Sequence, residues 1–159
     1  MIPNFIKENK NEKILVLFDM DGVCAEYVYG ENVDILNNSP DVYSKKRPIR
    51  SVIKVAEEMS KMENVTVGIM SSANYTNQRA QKLEWLEKYM SFLDKNHVYI
   101  LVWEELGLSG DNRNGQKGKE IQKIRGFDKI YLFDDKHKII NATNAIIPNC
   151  AHHVSEVID

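Results

Sequence analysis

Five short apolar runs, spaced along the chain with longer amphipathic stretches between them, restrict the fold more than any other feature of this sequence. They are KILVLF (13–18), VTVGIM (65–70), HVYILV (97–102), KIYLF (129–133) and NAIIP (144–148). Each is rich in β-branched or aromatic residues and apolar nearly throughout, the pattern of strands covered on both faces in a parallel sheet. The stretches between them read as helices. RPIRSVIKVAEEMSKM (47–62) has Pro48 near its start and apolar residues at Ile49, Ile53, Ala56 and Met59. NYTNQRAQKLEWLEKYMSFL (74–93) predicts an amphipathic helix starting between Asn74 and Asn77, with Trp85, Leu86, Tyr89 and Leu93 as core. QKGKEIQKIRG (116–126) and DKHKIINATNA (135–145) predict shorter turns of helix. Strands alternating with helices imply an α/β, three-layer Rossmann-like fold around a central five-stranded parallel sheet, in one domain over 1–159. One segment, 23–47, breaks the alternation. AEYVYGENVDI (25–35) fits a small β-hairpin turning at Gly30, Glu31 and Asn32, a flap over the residues before it.

Composition narrows the function classes. The formal charge is −2, so no global field argues for nucleic acid or an acidic membrane. Locally, 113–138 holds eight Lys/Arg against four Asp/Glu, which suits solvated helix faces or a positive rim for a phosphorylated substrate. Two cysteines, Cys24 and Cys150, make no disulfide framework. The N-terminal stretch lacks the apolar run of a signal peptide, and no segment approaches the ~18 apolar residues of a membrane helix. A cytoplasmic protein with no membrane partner is expected.

The strand ends carry the chemistry. In an open parallel sheet, ligands collect beyond the carboxyl ends of the strands. The first run ends in Asp19, Met20, Asp21 and Gly22, the second in Ser71, Ser72, Ala73 and Asn74, the fourth in Asp134 and Asp135. Lys117 and Lys119 open the helix leading into the fourth. An isolated acidic pair would merely form a turn, but ending a buried strand in two acids is costly without a partner. Carboxylates brought together at one sheet edge repel each other, and a divalent cation such as Mg²⁺ relieves that repulsion. The EF-hand alternative is excluded because the glycine follows the acids too soon. Cys24 lies near the acids but has no evident base beside it. His152 and His153 read as exposed tail residues, and Trp103 as either core or substrate border.

DMDGV, a serine after an apolar strand, a lysine, and FDD after another strand resemble, in that order, the four motifs of the haloacid dehalogenase superfamily. The resemblance spans about 13–135. It implies a Mg²⁺-dependent phosphomonoesterase working through an aspartyl-phosphate. Asp19 would be the nucleophile and a metal ligand, and Asp21 the general acid/base with its backbone carbonyl on the metal. Ser71, or Ser72, would contact the phosphoryl group with Asn74 nearby. Lys117, or Lys119, would neutralise charge, and Asp134 and Asp135 would complete the metal shell. Relatives often carry a cap domain. Here the gaps hold only the flap and WEELGLSGDNRNGQ (103–116), so a capless enzyme with an open site is expected. Such a site admits the end of a large molecule, such as a nucleic-acid 3′-phosphate or a phosphoprotein, or a small phosphorylated molecule if a second subunit in a homo-oligomer covers it. LFDDK and the short flap are similar to the phosphatase domains of polynucleotide kinases. KLEWLEKYMSFL is similar to 5′(3′)-deoxyribonucleotidases, which act on nucleoside monophosphates. A phospho-acceptor module would place its acids after the first and third strands, which this order disfavours. A non-catalytic phosphate-binding module would lack motif residues, and all are present.

Overall fold

The computed structural model of the protein describes residues 1–27 and 42–158. The expected hairpin turn at Gly30 lies outside them. The elements in chain order are α1 (Asn4–Lys7), β1 (Ile14–Phe18), a 3-10 turn (Tyr43–Lys45), α2 (Arg50–Ser60) and β2 (Val65–Ala73). Then come α3 (Asn77–Tyr89), β3 (Val98–Val102), α4 (Trp103–Leu106), α5 (Gln116–Gln122), β4 (Lys129–Asp134), α6 (His137–Ile146) and β5 (Ala151–His153). The strands form one five-stranded sheet in the order β3-β2-β1-β4-β5, every pairing parallel.

All five residues of β1 are buried, because the sheet is covered on both sides. Ile14, Val16 and Phe18 face one core with Val52, Val55, Ala56 and Met59 of α2 and Trp85 and Leu86 of α3. Leu15 and Leu17 face the other with Ile121 of α5 and Ile140 of α6. The period-2 alternation of a strand thus delivers one apolar set to each layer. The buried stripe of α2 is centred one residue from the expected one, with Ile49 and Ile53 half-buried at its flank. Trp85, Leu86 and Leu93 are core, with Tyr89 packed against them.

The fifth strand is not where the apolar run placed it. Residues 144–146 finish α6, and the strand is Ala151–His153. The reason is a helical spacing hidden in the run: Ile140 and Thr143 are buried on one face of α6, and Ile146 packs on Gly118, where an added Cβ would meet its Cδ1 at 3.0 Å. Asn149 then turns the chain with φ 61°. Asn144 ties the two elements together, its amide donating to Ala151 O (2.9 Å) and accepting from Ala151 N (2.7 Å). His152 and His153 are therefore half-buried strand residues, not an exposed tail, and the His152 ring stacks on Phe5 with centroids 4.4 Å apart.

Asn144→Ala removes both side-chain hydrogen bonds to the Ala151 backbone at the start of β5. It should cost about 2 kcal/mol of stability in urea unfolding, with hydrogen exchange rising first at 151–153. Unchanged exchange there would show that the strand is held by β4 alone.

Candidate active site

Strand order places the site. From β1 the chain winds outward through β2 to β3, then returns to lay β4 on the other side of β1. The carboxyl ends of β1 and β4 therefore diverge at a topological switch point, where open α/β sheets leave a crevice. Asp19 continues the ladder there, its N–H donating to Phe133 O (3.0 Å). Beyond it the chain closes a tight turn, with Val23, Cys24 and Ala25 all donating to Met20 O. Gly22 sits in this turn at φ +80°, and an added Cβ would lie 2.2 Å from Asp135 Oδ2. The glycine after the acids both reverses the chain and lets Asp135 come close.

Asp19, Asp134 and Asp135 meet across β1 and β4, each offering an oxygen within 4.8 Å of the others. Lys117 of α5 is buried between two of them, 3.1 Å from Asp19 Oδ1 and 2.7 Å from Asp134 Oδ2. Burial opposes its charge, but Asp134 and Asp19 outweigh that and hold the ammonium above the usual lysine range. The Lys117 contact likewise overcomes burial at Asp134 and lowers its pKa. Burial raises the Asp19 pKa despite Lys117, and Asp134 adds to the rise. Asp135 is pushed up to about 6 by burial and by the Asp19 and Asp134 charges. Asp134 has both oxygens engaged, since Oδ1 accepts from Lys136 N (3.0 Å). Asp135 Oδ1 is buried without a hydrogen-bond partner. An oxygen-only donor set with one orphaned carboxylate oxygen fits a hard divalent cation. Lys119, two residues from Lys117, is exposed.

Asp21 stands apart from this triad, in a second group of charges. Lys46 holds Oδ1, while Tyr43 donates to Oδ2 and Lys82 lies 3.2 Å from it. Burial would raise the Asp21 pKa, but Lys82 and Lys46 hold the carboxyl well below the usual range. Lys82 is 1% exposed, and its three donors find three acceptors: Asp21, Ser71 Oγ (2.8 Å) and Ser72 O (2.5 Å). Burial lowers its pKa even so. Lys46 and Lys82 also lie over the Tyr43 ring, at 4.3 and 5.2 Å.

Ser71 is fully buried with its hydroxyl on Lys82, whereas Ser72 and Asn74 line the crevice. The Asn74 N–H is held by Gln78 Oε1 (2.9 Å). Cys24 is buried, and desolvation together with Asp19 pushes its thiol far up, which leaves it unreactive.

Tyr43, Lys46 and Lys82 are the residues that motif reading missed. Lys82 did carry a signal. Gln78, Lys82, Trp85 and Leu86 recur at helical spacing and are the buried face of α3, while Leu83 beside them is 46% exposed. The helix is amphipathic only toward its C-terminal end, and its other half turns polar groups inward. Lys46 and Tyr43 precede α2 in a 3-10 turn and carried no periodic signal.

The resulting crevice has a volume of about 110 Å³ and is lined by Asp19, Asp21, Tyr43, Lys46, Ser72, Asn74, Lys82, Lys117 and Lys136, among others. That is several times the ~30 Å³ share of one liquid water. Counting Asp134 and Asp135 behind it, four carboxylates face four ammonium groups.

No protein-family model matches the chain, and no curated protein matches it. Thirteen chains of solved structures are similar, two of them as follows. A chain in a structure of the Pnkp1/Rnl/Hen1 complex has a TM-score of 0.62 and 18% identity, with 89% of this chain and 45% of that one covered. A chain in a structure of the Pnkp1/Rnl/Hen1 RNA repair complex has a TM-score of 0.64 and 17% identity, with 90% and 42% covered. At these identities the likeness is one of fold, and this chain spans less than half the length of either neighbour. Among the described residues no helix is long and apolar enough to cross a membrane.

Two outcomes follow from the geometry. Gly22→Ala forces a Cβ onto the Asp135 carboxylate at positive φ, so it should destabilise the protein by about 1–3 kcal/mol in denaturant titration. Asp19 and Asp135 bind protons more tightly folded than unfolded, so stability of the metal-free protein falls as pH rises toward and through about 6. Asp21 and Asp134 are shifted the other way and act only at lower pH. The melting temperature in EDTA should therefore drop between pH 5 and pH 7, and Asp135→Asn should flatten that fall. Millimolar Mg²⁺ should raise the pH 7 value of the unaltered protein. A melt at pH 7 indifferent to Mg²⁺ would remove the metal site.

Proposed function

We propose that the protein hydrolyses phosphate monoesters through a covalent phosphoryl group on Asp19, with a nucleotide or nucleic-acid end as substrate. The observation that carries this is the charge balance of the crevice. Four carboxylates offset four lysines, so a divalent cation on Asp19, Asp134 and Asp135 leaves about two positive charges, the complement of a phosphate monoester dianion. Mg²⁺ is the cation that an all-oxygen, carboxylate-rich shell and a phosphate ligand suit best. When bound, it would supply Lewis-acid stabilisation of the phosphoryl oxygens. Asp135, with its orphaned oxygen, is the more direct ligand of the Asp134–Asp135 pair.

The residues divide the work. With Lys117 on Asp19 Oδ1, the other Asp19 oxygen attacks phosphorus, and the ester P–O bond breaks. The leaving oxygen takes a proton from Asp21, and Asp21 later accepts one from the water that cleaves the Asp19 acyl phosphate. In the arrangement described, Asp21 is too strong an acid to hold that proton. An incoming dianion competes for Lys46 and Lys82, and each cation drawn from Asp21 raises its proton affinity. Lys117 neutralises the attacking group, and Ser72 and Asn74 hold the non-bridging oxygens. The fold likeness to chains of an RNA repair complex supports the nucleic-acid-end reading over other phosphate esters.

The test is phosphate release from nucleoside monophosphates, sugar phosphates and 3′-phosphorylated oligonucleotides, with and without Mg²⁺. Metal-dependent release is expected, abolished by Asp19→Asn. Lys82→Met should lower kcat by about 10²-fold, with its melting temperature recorded alongside. Release that persists in Asp19→Asn would overturn the covalent route.

A further inference from the structure

We propose that a second cavity, beside the catalytic crevice, binds the nucleoside that carries the scissile phosphate. This rests on the phosphomonoesterase reading above. The cavity has a volume of about 470 Å³ and opens between the end of β2 and the loop after β3. Asn74 lines both it and the crevice, so a phosphate in one and its ester group in the other lie on either side of a single side chain.

Its wall is built for a flat π-system. Trp103, the first residue of α4, is 7% exposed, and the Arg113 guanidinium lies over its indole, 5.7 Å from the ring centroid. Gly107 and Gly110, at φ +64° and +56°, turn the loop so that Arg113 comes back to that position. Its Nε donates to Leu108 O (3.3 Å) and Nη1 approaches Asn74 Oδ1 (3.5 Å). Arg113's partners among the described residues are thus a carbonyl, an amide oxygen and an indole, none of them a carboxylate. The two acids of α4 are committed elsewhere. Glu104 Oε2 accepts from Thr76 N and Oγ1 (3.1 and 3.0 Å), and Glu105 forms a two-bond pair with Arg79 (2.8 and 2.6 Å). These contacts also tie α4 to the start of α3. Tyr75, at the same cavity, leaves 45% of its surface exposed.

A guanidinium backed by an indole, with an exposed phenol beside it, offers a base the planar cationic and aromatic faces on which nucleobases stack. A sugar phosphate has no flat face to lay against them. Stacking tolerates any base, so the subsite selects a nucleoside without reading its sequence.

The test compares the unaltered protein with Tyr75→Ala, Arg113→Ala and Arg113→Lys, in Mg²⁺. Substrates are glycerol 2-phosphate, a nucleoside 3′-monophosphate and a 3′-phosphorylated trinucleotide. Glycerol 2-phosphate cannot reach the subsite, and its kcat/KM should stay within about twofold. For both nucleotide substrates KM should rise roughly 10-fold or more with little change in kcat. Arg113→Lys, which keeps the charge and loses the plane, should behave like Arg113→Ala. Equal KM values in all four proteins, or a loss confined to the trinucleotide, would overturn the subsite and leave the phosphatase standing. If no substrate yields phosphate, the catalytic reading falls. The subsite is then decided by fluorescence anisotropy of the labelled trinucleotide: affinity weakened about 10-fold in the variants upholds it, and unchanged or undetectable binding overturns it.

Discussion

Lys117 stands between Asp19 and Asp134 where β1 and β4 end side by side. Parallel pairing fixes how close those ends lie, since Phe18 is in register with Phe133. Two acids placed there without a counter-charge would carry both desolvation and mutual repulsion. One buried ammonium removes most of that cost for Asp134 and part of it for Asp19. What it leaves, a raised Asp19 and a raised Asp135, is the site's remaining affinity for positive charge. The packing of α5 against the sheet follows from the same requirement, because Lys117 reaches both acids only from a helix held close to the strand ends.

The two acids of the first motif differ sharply in environment although one residue separates them. Asp19 faces other carboxylates, and Asp21 faces Lys46, Lys82 and Tyr43. Groups whose surroundings push their proton affinities apart are suited to unlike roles. Replacing one lysine by an apolar residue would leave the half-buried Asp21 to the other lysine and Tyr43, whereas replacing both would leave its charge without a cation.

The sheet, the acid pair and the double aspartate were legible in the sequence because the acids sit where apolar runs stop, whereas the lysine ahead of β4 was pointed to only by its place in the order of motifs, with Lys119 beside it as an alternative. A strand that ends in a charge is an anomaly visible from sequence alone. Lys82 was hidden because it lies within a helix, where an inward lysine looks like any other until the partner face is known. Tyr43 and Lys46 were hidden for a different reason: they act from a turn brought over the site by long-range contacts, such as the Trp85 N–H on Lys46 O (3.0 Å). The fifth strand was misplaced because NAIIP satisfies a strand pattern and also ends a helical one. Three residues of pairing with β4 were enough for β5, too few to leave a signal of their own.

Gly118 adjoins Lys117 and lets α5 settle against Ile146 and Thr143 of α6. The seating of the helix that carries the lysine therefore depends in part on an apolar contact made on a neighbouring face of that helix. A methyl group gained at 118, or a bulkier residue at 146, would act as a wedge and lift the ammonium from its two acids while every polar residue stayed in place. The electrostatics of the crevice can in this way be tuned from a hydrophobic seam, by residues that no inventory of charged groups would include.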